Sequence, residues 1–157
     1  MRFEKLTTKF QHAIADAQSI AVGQDHAAIE SQHLLLALLQ QKDSGITSLL
    51  QQSGANVAPL LDALKKSIDN LPKVTDQNGD VNISRNLGNT LNLADKEAQK
   101  RGDQFIASEL FLLAVIKEQS EAGALLKQYG INYAALEQAI NAMRGGEQVD
   151  NADAESS

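Results

Sequence analysis

The chain has 157 residues, with 14 Lys and Arg against 20 Asp and Glu, a formal charge of −6 and a hydrophobic share of 43%. That apolar share supports packed cores, while an acidic balance without clustered Lys and Arg excludes a phosphate-tracking nucleic-acid surface. The absence of cysteine excludes a disulfide scaffold and a thiolate metal site.

Two prolines and an excess of Ala, Leu and Gln predict a mostly helical chain. The longest strictly apolar run, Leu34 to Leu39, is far shorter than the roughly 20 residues of a spanning helix, so no membrane segment is expected. The opening Met1-Arg2-Phe3-Glu4-Lys5-Leu6 is charged where a secretory signal would be apolar. A cytoplasmic protein is expected.

The sequence repeats itself. Residues 29–39 and 106–116 align at an offset of 77 with five identities in eleven positions and three exchanges of one large apolar residue for another. The same offset pairs Thr7 with Ser84, Phe10 with Leu87, Ile14 with Leu91 and Ala17 with Ala94. After a one-residue slip, Leu49-Leu50 matches Leu125-Leu126 and Gly54 matches Gly130.

Each copy predicts four helices. In the first, Thr7 caps a helix with Phe10, Ile14, Ala17 and Ala21 inward, closing near Gly23. Ser31 caps the apolar run, which is apolar all round and belongs in the core. A short helix from Ile46 to Ser53 stops at Gly54, and Asn56 caps a fourth carrying Leu60, Leu61, Leu64 and Ile68. Pro59 fits within that helix's first turn.

In the second copy Ser84 caps a helix with Leu87, Leu91, Ala94 and Ala98 inward, closed by Gly102. Ser108, Ser120 and Asn132 cap the next three, and Gly130 and Gly145 mark C-terminal ends. Between the copies, Asn78-Gly79-Asp80 predicts a turn. The expected fold is all-α: eight helices in a pseudo-two-fold tandem repeat of a four-helix unit. Repeat one covers about 3–71 and repeat two about 83–146, together a domain over 1–146. Residues 147–157 are small, acidic and aperiodic, so a flexible, disordered C-terminal tail or linker is expected.

Chemistry is sparse. No G-x-x-x-x-G-K-S/T cradle is present for a nucleotide, nor a G-x-S-x-G elbow for a serine nucleophile. His12, His26 and His33 lack the i, i+4 spacing of a zinc pair, and the counterpart of His33 is Leu110, so His33 reads as packing. No metal site, no cofactor and no enzymatic activity are expected in these residues.

Positions where the copies disagree are less constrained by the fold. Leu93 points about 120° or more away from the Leu87/Leu91/Ala94/Ala98 face, and its counterpart is Asp16. Leu93 is therefore expected to be exposed, with Leu110 and Phe105 adding apolar area in the same half. Glu109 replaces Gln32 in a first helical turn, and Asp103 follows Gly102 in the preceding loop. Helix capping accounts for Glu109. The functional alternative is a polar rim gripping backbone amides or basic residues of a bound polypeptide.

Together these features resemble the Clp N-domain family. The resemblance rests on the duplicated unit with Ile-x-Ser-x-His/Leu-Leu/Phe-Leu-Leu-Ala, the opening Lys5-Leu6-Thr7-Thr8-Lys9-Phe10-Gln11, the stretches Ala15 to Ser19 and Lys100 to Leu110, and the exit Met143 to Glu147. It spans residues 1 to about 148, closest to the domain of bacterial disaggregases.

The resemblance implies a module of a cytoplasmic AAA+ chaperone that forms homohexameric rings, uses ATP and magnesium in ATPase domains outside this chain, and works with the DnaK system. Its partners would be unfolded or aggregated polypeptides, and the isolated domain would be a monomer. The family's substrate-contact positions fall on Thr7, Leu91, Leu93, Asp103, Glu109 and Leu110. Leu91 would have to form a groove floor, because periodicity places it in the core. Peptidase-coupled relatives usually carry Glu before the His in both copies, and some bind phosphorylated arginine with that pair. Gln32 here removes the symmetry. Adaptor docking in such an ATPase is the alternative reading.

Overall fold

Thr7 opens the first helix as its position predicts: its hydroxyl accepts from the Phe10 amide at 3.2 Å. The structure is a computed structural model describing residues 2–75 and 80–156. The expected turn at Asn78-Gly79 lies outside the described residues. Among them the chain forms eight α-helices: α1 (Thr8–Gly23), α2 (Ser31–Gln40), α3 (Ile46–Gln52), α4 (Val57–Asp69), α5 (Arg85–Arg101), α6 (Ser108–Glu118), α7 (Glu121–Gln128) and α8 (Tyr133–Arg144). Short 3-10 turns occupy Phe3–Lys5 and Ala154–Ser156.

Ser84, Ser120 and Asn132 cap α5, α7 and α8 through their side chains, and Gly102 and Gly145 close α5 and α8 in the left-handed conformation. Two expected caps need correction. Ser31 and Ser108 are the first helical residues, and the caps are Glu30 and Ala107. In α2 the Glu30 carboxylate accepts from the third helical amide while His33 Nδ1 accepts from the Glu30 amide at 2.9 Å, so an acid and an imidazole form the capping box. Asn56 is the N-cap of α4 as expected, without a side-chain cap bond; its amide donates to Tyr129 O at 3.0 Å.

Helices α2 and α6, apolar on every face, are the two central elements. Helix α1 packs on α2 as α5 packs on α6, and α3 meets α8 as α7 meets α4. The halves also exchange backbone contacts. Leu6 bridges Ile106 and Ile83 bridges Ile29, each pair in parallel. Thr7 N donates to Ile106 O and Ser84 N to Ile29 O, at 3.1 and 3.0 Å. Each repeat thus completes the other's helix entry.

Helix α7 lies against α6 with no room for a methyl group. A Cβ at Gly123 would stand 2.2 Å from Val115 O and 2.9 Å from Val115 C, backbone atoms that cannot rotate away. Gly123→Ala is expected to cost about 1–3 kcal/mol by forcing these helices apart. Urea unfolding would measure it, and an unchanged midpoint would mean that α7 can shift freely on α6.

Residues 147–156, described after the last α-helix, lie against the domain. Gly145 and Gly146 both have positive φ, 58° and 88°, and reverse the chain immediately after α8. Val149 is buried again, at 7% exposure, and residues 149–155 run along the α5–α6 loop and the start of α1.

Candidate functional site

Three of the expected site residues converge where that segment runs. Asp103, just after the left-handed Gly102, accepts from Arg144 Nη1 with both carboxylate oxygens, at 3.0 and 2.8 Å. Glu109, in the first turn of α6, accepts from the same guanidinium at 3.1 and 2.9 Å. Arg144 is the last residue of α8, its side chain 8% exposed, so α8 delivers one cation between two buried carboxylates. Asp103 Oδ1 also accepts from Val149 N at 3.0 Å. The polar rim does grip a basic group and a backbone amide, and both belong to this chain.

Burial raises the Glu109 carboxyl above its ordinary value, and the Glu155 charge adds to this, while Arg144 works against both. Burial alone would depress Arg144; the Glu109 charge and the bonds from Asp103 outweigh it and hold the guanidinium above its ordinary value.

Thr7 sits on the other side of Ser108. Its hydroxyl, fully buried, donates to the Glu155 carboxylate, which also accepts from Ser108 N and Ser108 Oγ at 3.1 Å each. The amide at the N-terminus of α6 is thereby satisfied by an acid, the charge its dipole favours. Between these contacts, Gln104 N and Phe105 N both donate to Val149 O, and Thr8 N donates to Ala152 O. Beside the segment opens a cleft of about 480 Å³, lined by Glu109, Arg144, Val149 and Glu155 and, from the first repeat, Ile46 and Leu49.

The leucines are distributed differently. Leu91 and Leu110 are core residues at 1% and 0% exposure, so the expected exposed apolar area at Leu110 is not found. The reason is that α6 is enclosed on all sides. Leu93 is half-buried rather than open. It shares a depression of about 140 Å³ with Leu113, Ala114 and Tyr133, rimmed by Lys96 and Lys117, and none of its lining is shared with the Arg144 cleft. Phe105 is half-buried as well. Arg144, Val149 and Glu155 are not singled out by sequence, and Ser108 only as a cap; Arg144 within the exit Met143 to Glu147 is the available signal.

A family model described as the Clp repeat (R) N-terminal domain matches residues 5–129. The chain belongs to this family. Chaperone protein ClpB of Pseudomonas putida is 52% identical over 157 residues, all of this chain and 18% of that protein; its namesake in Vibrio cholerae is 46% identical over 155 residues, 99% of this chain and 18% of that one. The chain therefore spans less than a fifth of the length of these relatives. The Hsp104 N-terminal domain from Candida albicans superposes with a TM-score of 0.82 at 19% identity, covering 96% of this chain and 99% of that one. The ClpV N-domain of Vibrio cholerae gives 0.76 at 19% identity, over 92% and 87%.

In this Clp N-terminal domain the two repeats furnish equivalent positions with different chemistry. Asp103 corresponds to His26 and Glu109 to Gln32 at the offset of 77. Where the second repeat has an Arg144-centred cluster, the first has a buried pair, His26 Nδ1 and His33 Nε2 at 2.8 Å. His33 is wholly buried and hydrogen-bonded on both nitrogens. Gln32 reaches across to Glu121 at 3.3 Å, tying α2 to α7. Among the described residues no helix is long and apolar enough to cross a membrane, and no three His, Cys, Asp or Glu are grouped to hold a metal ion.

Proposed function

We propose that this domain receives substrate for an ATP-dependent protein disaggregase of the ClpB type. Residues 1–146 would form the receiving domain and 147–157 the start of a linker to the ATPase ring, in a cytoplasmic homohexamer that uses ATP and magnesium outside this chain and cooperates with the DnaK system. It would weakly capture exposed apolar segments of unfolded or aggregated polypeptides. Thr7, Asp103 and Glu109 would set the polar edge, Leu93 an apolar contact, and Leu91 and Leu110 the floor beneath.

The observation that carries this reading is main-chain recognition. Gln104 N and Phe105 N donate to a peptide carbonyl, and Asp103 accepts from the amide of the same residue. Bonds to backbone are indifferent to side-chain identity, which suits a receptor for many sequences. Burying about 200–300 Å² at about 25 cal/mol per Å² yields only several kcal/mol before entropic costs, so Kd would lie in the tens to hundreds of micromolar. Several tethered copies in a ring would raise the effective affinity.

Titration of the isotope-labelled domain with reduced, alkylated α-lactalbumin is expected to shift the amides of Thr7, Asp103, Glu109 and neighbouring residues. Leu93→Asp is expected to weaken binding about fivefold to tenfold while costing only about 1 kcal/mol of stability, because Leu93 is half-buried. Unchanged affinity would remove Leu93 from the site.

A second reading is docking of a dedicated adaptor. It is favoured by a separate, more apolar groove lined by Ile14, Ile29, Val81 and Ile83 beside the exposed Phe3. One solved neighbour, at TM-score 0.71 and 21% identity, is a ClpV N-domain in complex with VipB peptide. Saturating unfolded polypeptide without any amide shift would move the choice to this reading.

A further inference from the structure

We infer that residues 147–156 are the resident occupant of the polar edge formed by Thr7, Thr8, Asp103, Gln104, Phe105 and Ser108, and that a captured polypeptide must displace them to bind. This rests on the receiving role proposed above. It adds the class of ligand: a segment with an apolar residue at the Val149 subsite that then turns and places a carboxylate six residues later, at Thr7 and Ser108.

The contacts are those of a bound peptide. Val149, 7% exposed, is the apolar anchor, and its N–H and C=O are both engaged, by Asp103 and by Gln104 with Phe105. Ala152 O accepts from Thr8 N at 2.8 Å, and Asp153 accepts from Thr8 Oγ1 at 2.9 Å. Glu155 closes the run against Thr7 and Ser108. These are the polar groups, Thr7 and Asp103 among them, to which the receiving role assigns substrate. Occupied by their own chain, they are closed to another.

The fold uses the same kind of contact in its other half. After α4 the chain turns back beside the α1–α2 loop, where Val74 N donates to Asp25 O and Lys73 bridges His26. There the segment is fixed at both ends by the following repeat. Residues 147–156 contribute none of the eight α-helices, so their release unfolds none of them.

Electrostatics makes the occupant releasable. It carries Glu147, Asp150, Asp153 and Glu155 and no base. The seated Glu155 lies close enough to Glu109 to raise that carboxyl above its ordinary value, so each opposes the other's charge. Neutral donors hold Glu155, and tethering supplies the effective concentration, of millimolar order for a short linker, that such weak contacts need.

The test uses the full 157-residue chain, wild type, Glu155→Gln and Val149→Ser. Amide hydrogen exchange at Thr8, Gln104, Phe105 and Val149 is expected to accelerate in both variants. Apparent Kd equals the intrinsic constant divided by the fraction of molecules with an open edge, so weakening the seat tenfold lowers Kd for reduced, alkylated α-lactalbumin by up to about tenfold. Faster exchange with unchanged Kd would overturn the competition, and equally fast exchange in wild type would overturn the seating. If no protein binds the polypeptide, the receiving role fails by itself. The occupant is then decided by adding a synthetic Glu147–Ser157 peptide to the Glu155→Gln chain: shifts at Thr8, Gln104 and Phe105 support the seat, and their absence overturns it.

Discussion

Arg144→Ala is expected to destabilise the domain by about 3–5 kcal/mol, the cost of leaving buried charges without their partner. The guanidinium makes four hydrogen bonds of 2.8 to 3.1 Å to Asp103 and Glu109, whose side chains are 0% and 6% exposed. Its removal strands two carboxylates, one of which burial already disfavours as a charge. For a domain of this size the melting temperature should fall by about 10 °C. Arg144→Lys keeps the charge but not the planar fork, so it should recover only part of the loss. Adding Glu109→Gln to Arg144→Ala should recover part of the loss, because it removes one of the two isolated carboxylates and leaves Asp103 unpaired. Urea unfolding of the set decides this. Equal loss with and without Glu109→Gln would show that the stranded Glu109 charge does not set the penalty.

Arg144 also marks where reading the sequence stops. The helices were legible because their signals are local: Thr7, Ser84, Ser120 and Asn132 each lie three residues before the amide they cap. The repeat revealed the all-round apolar α2 and α6 as the core. Glu30 and His33 escaped notice as a capping box because the pattern expects Ser or Thr with Glu or Gln. Asp103 and Glu109 stood out through repeat asymmetry, but their partner lies 41 and 35 residues away, and no periodicity links such positions. Leu93 does leave the core face of α5, as the helical wheel requires. It is half-buried there against the core and lines a depression with Leu113 and Tyr133 of other helices. Val149 is a lone apolar residue in an acidic stretch, and only the two glycines that turn the chain back give it a place to go.

Acid is expected to weaken the fold through His33. Its Nδ1 accepts from the Glu30 amide, so in the neutral ring the proton sits on Nε2 and is donated to His26 Nδ1 at 2.8 Å. A second proton would set an N–H against an N–H. Burial, with a smaller contribution from His26, lowers His33 from 6.5 to about 4. Burial also lowers His26, helped by Lys73 and opposed by Asp69 and Asp25. Between pH 6.5 and 4 the unfolded chain therefore binds more protons than the folded one, and stability falls as pH falls. The contribution is complete above 6.5, and about 3 kcal/mol is gone once pH has dropped through 4. Carboxylates add their own acid dependence, so the measurement is a difference. In His33→Leu, the residue the second repeat carries as Leu110, unfolding stability should be lower at pH 7 because the capping box is lost. Between pH 6.5 and 4.5 it should change less steeply than in wild type, by about one proton. Parallel slopes in the two proteins would mean that His33 takes up its proton inside the fold without penalty, and that the pair holds α2 to the preceding loop by packing alone.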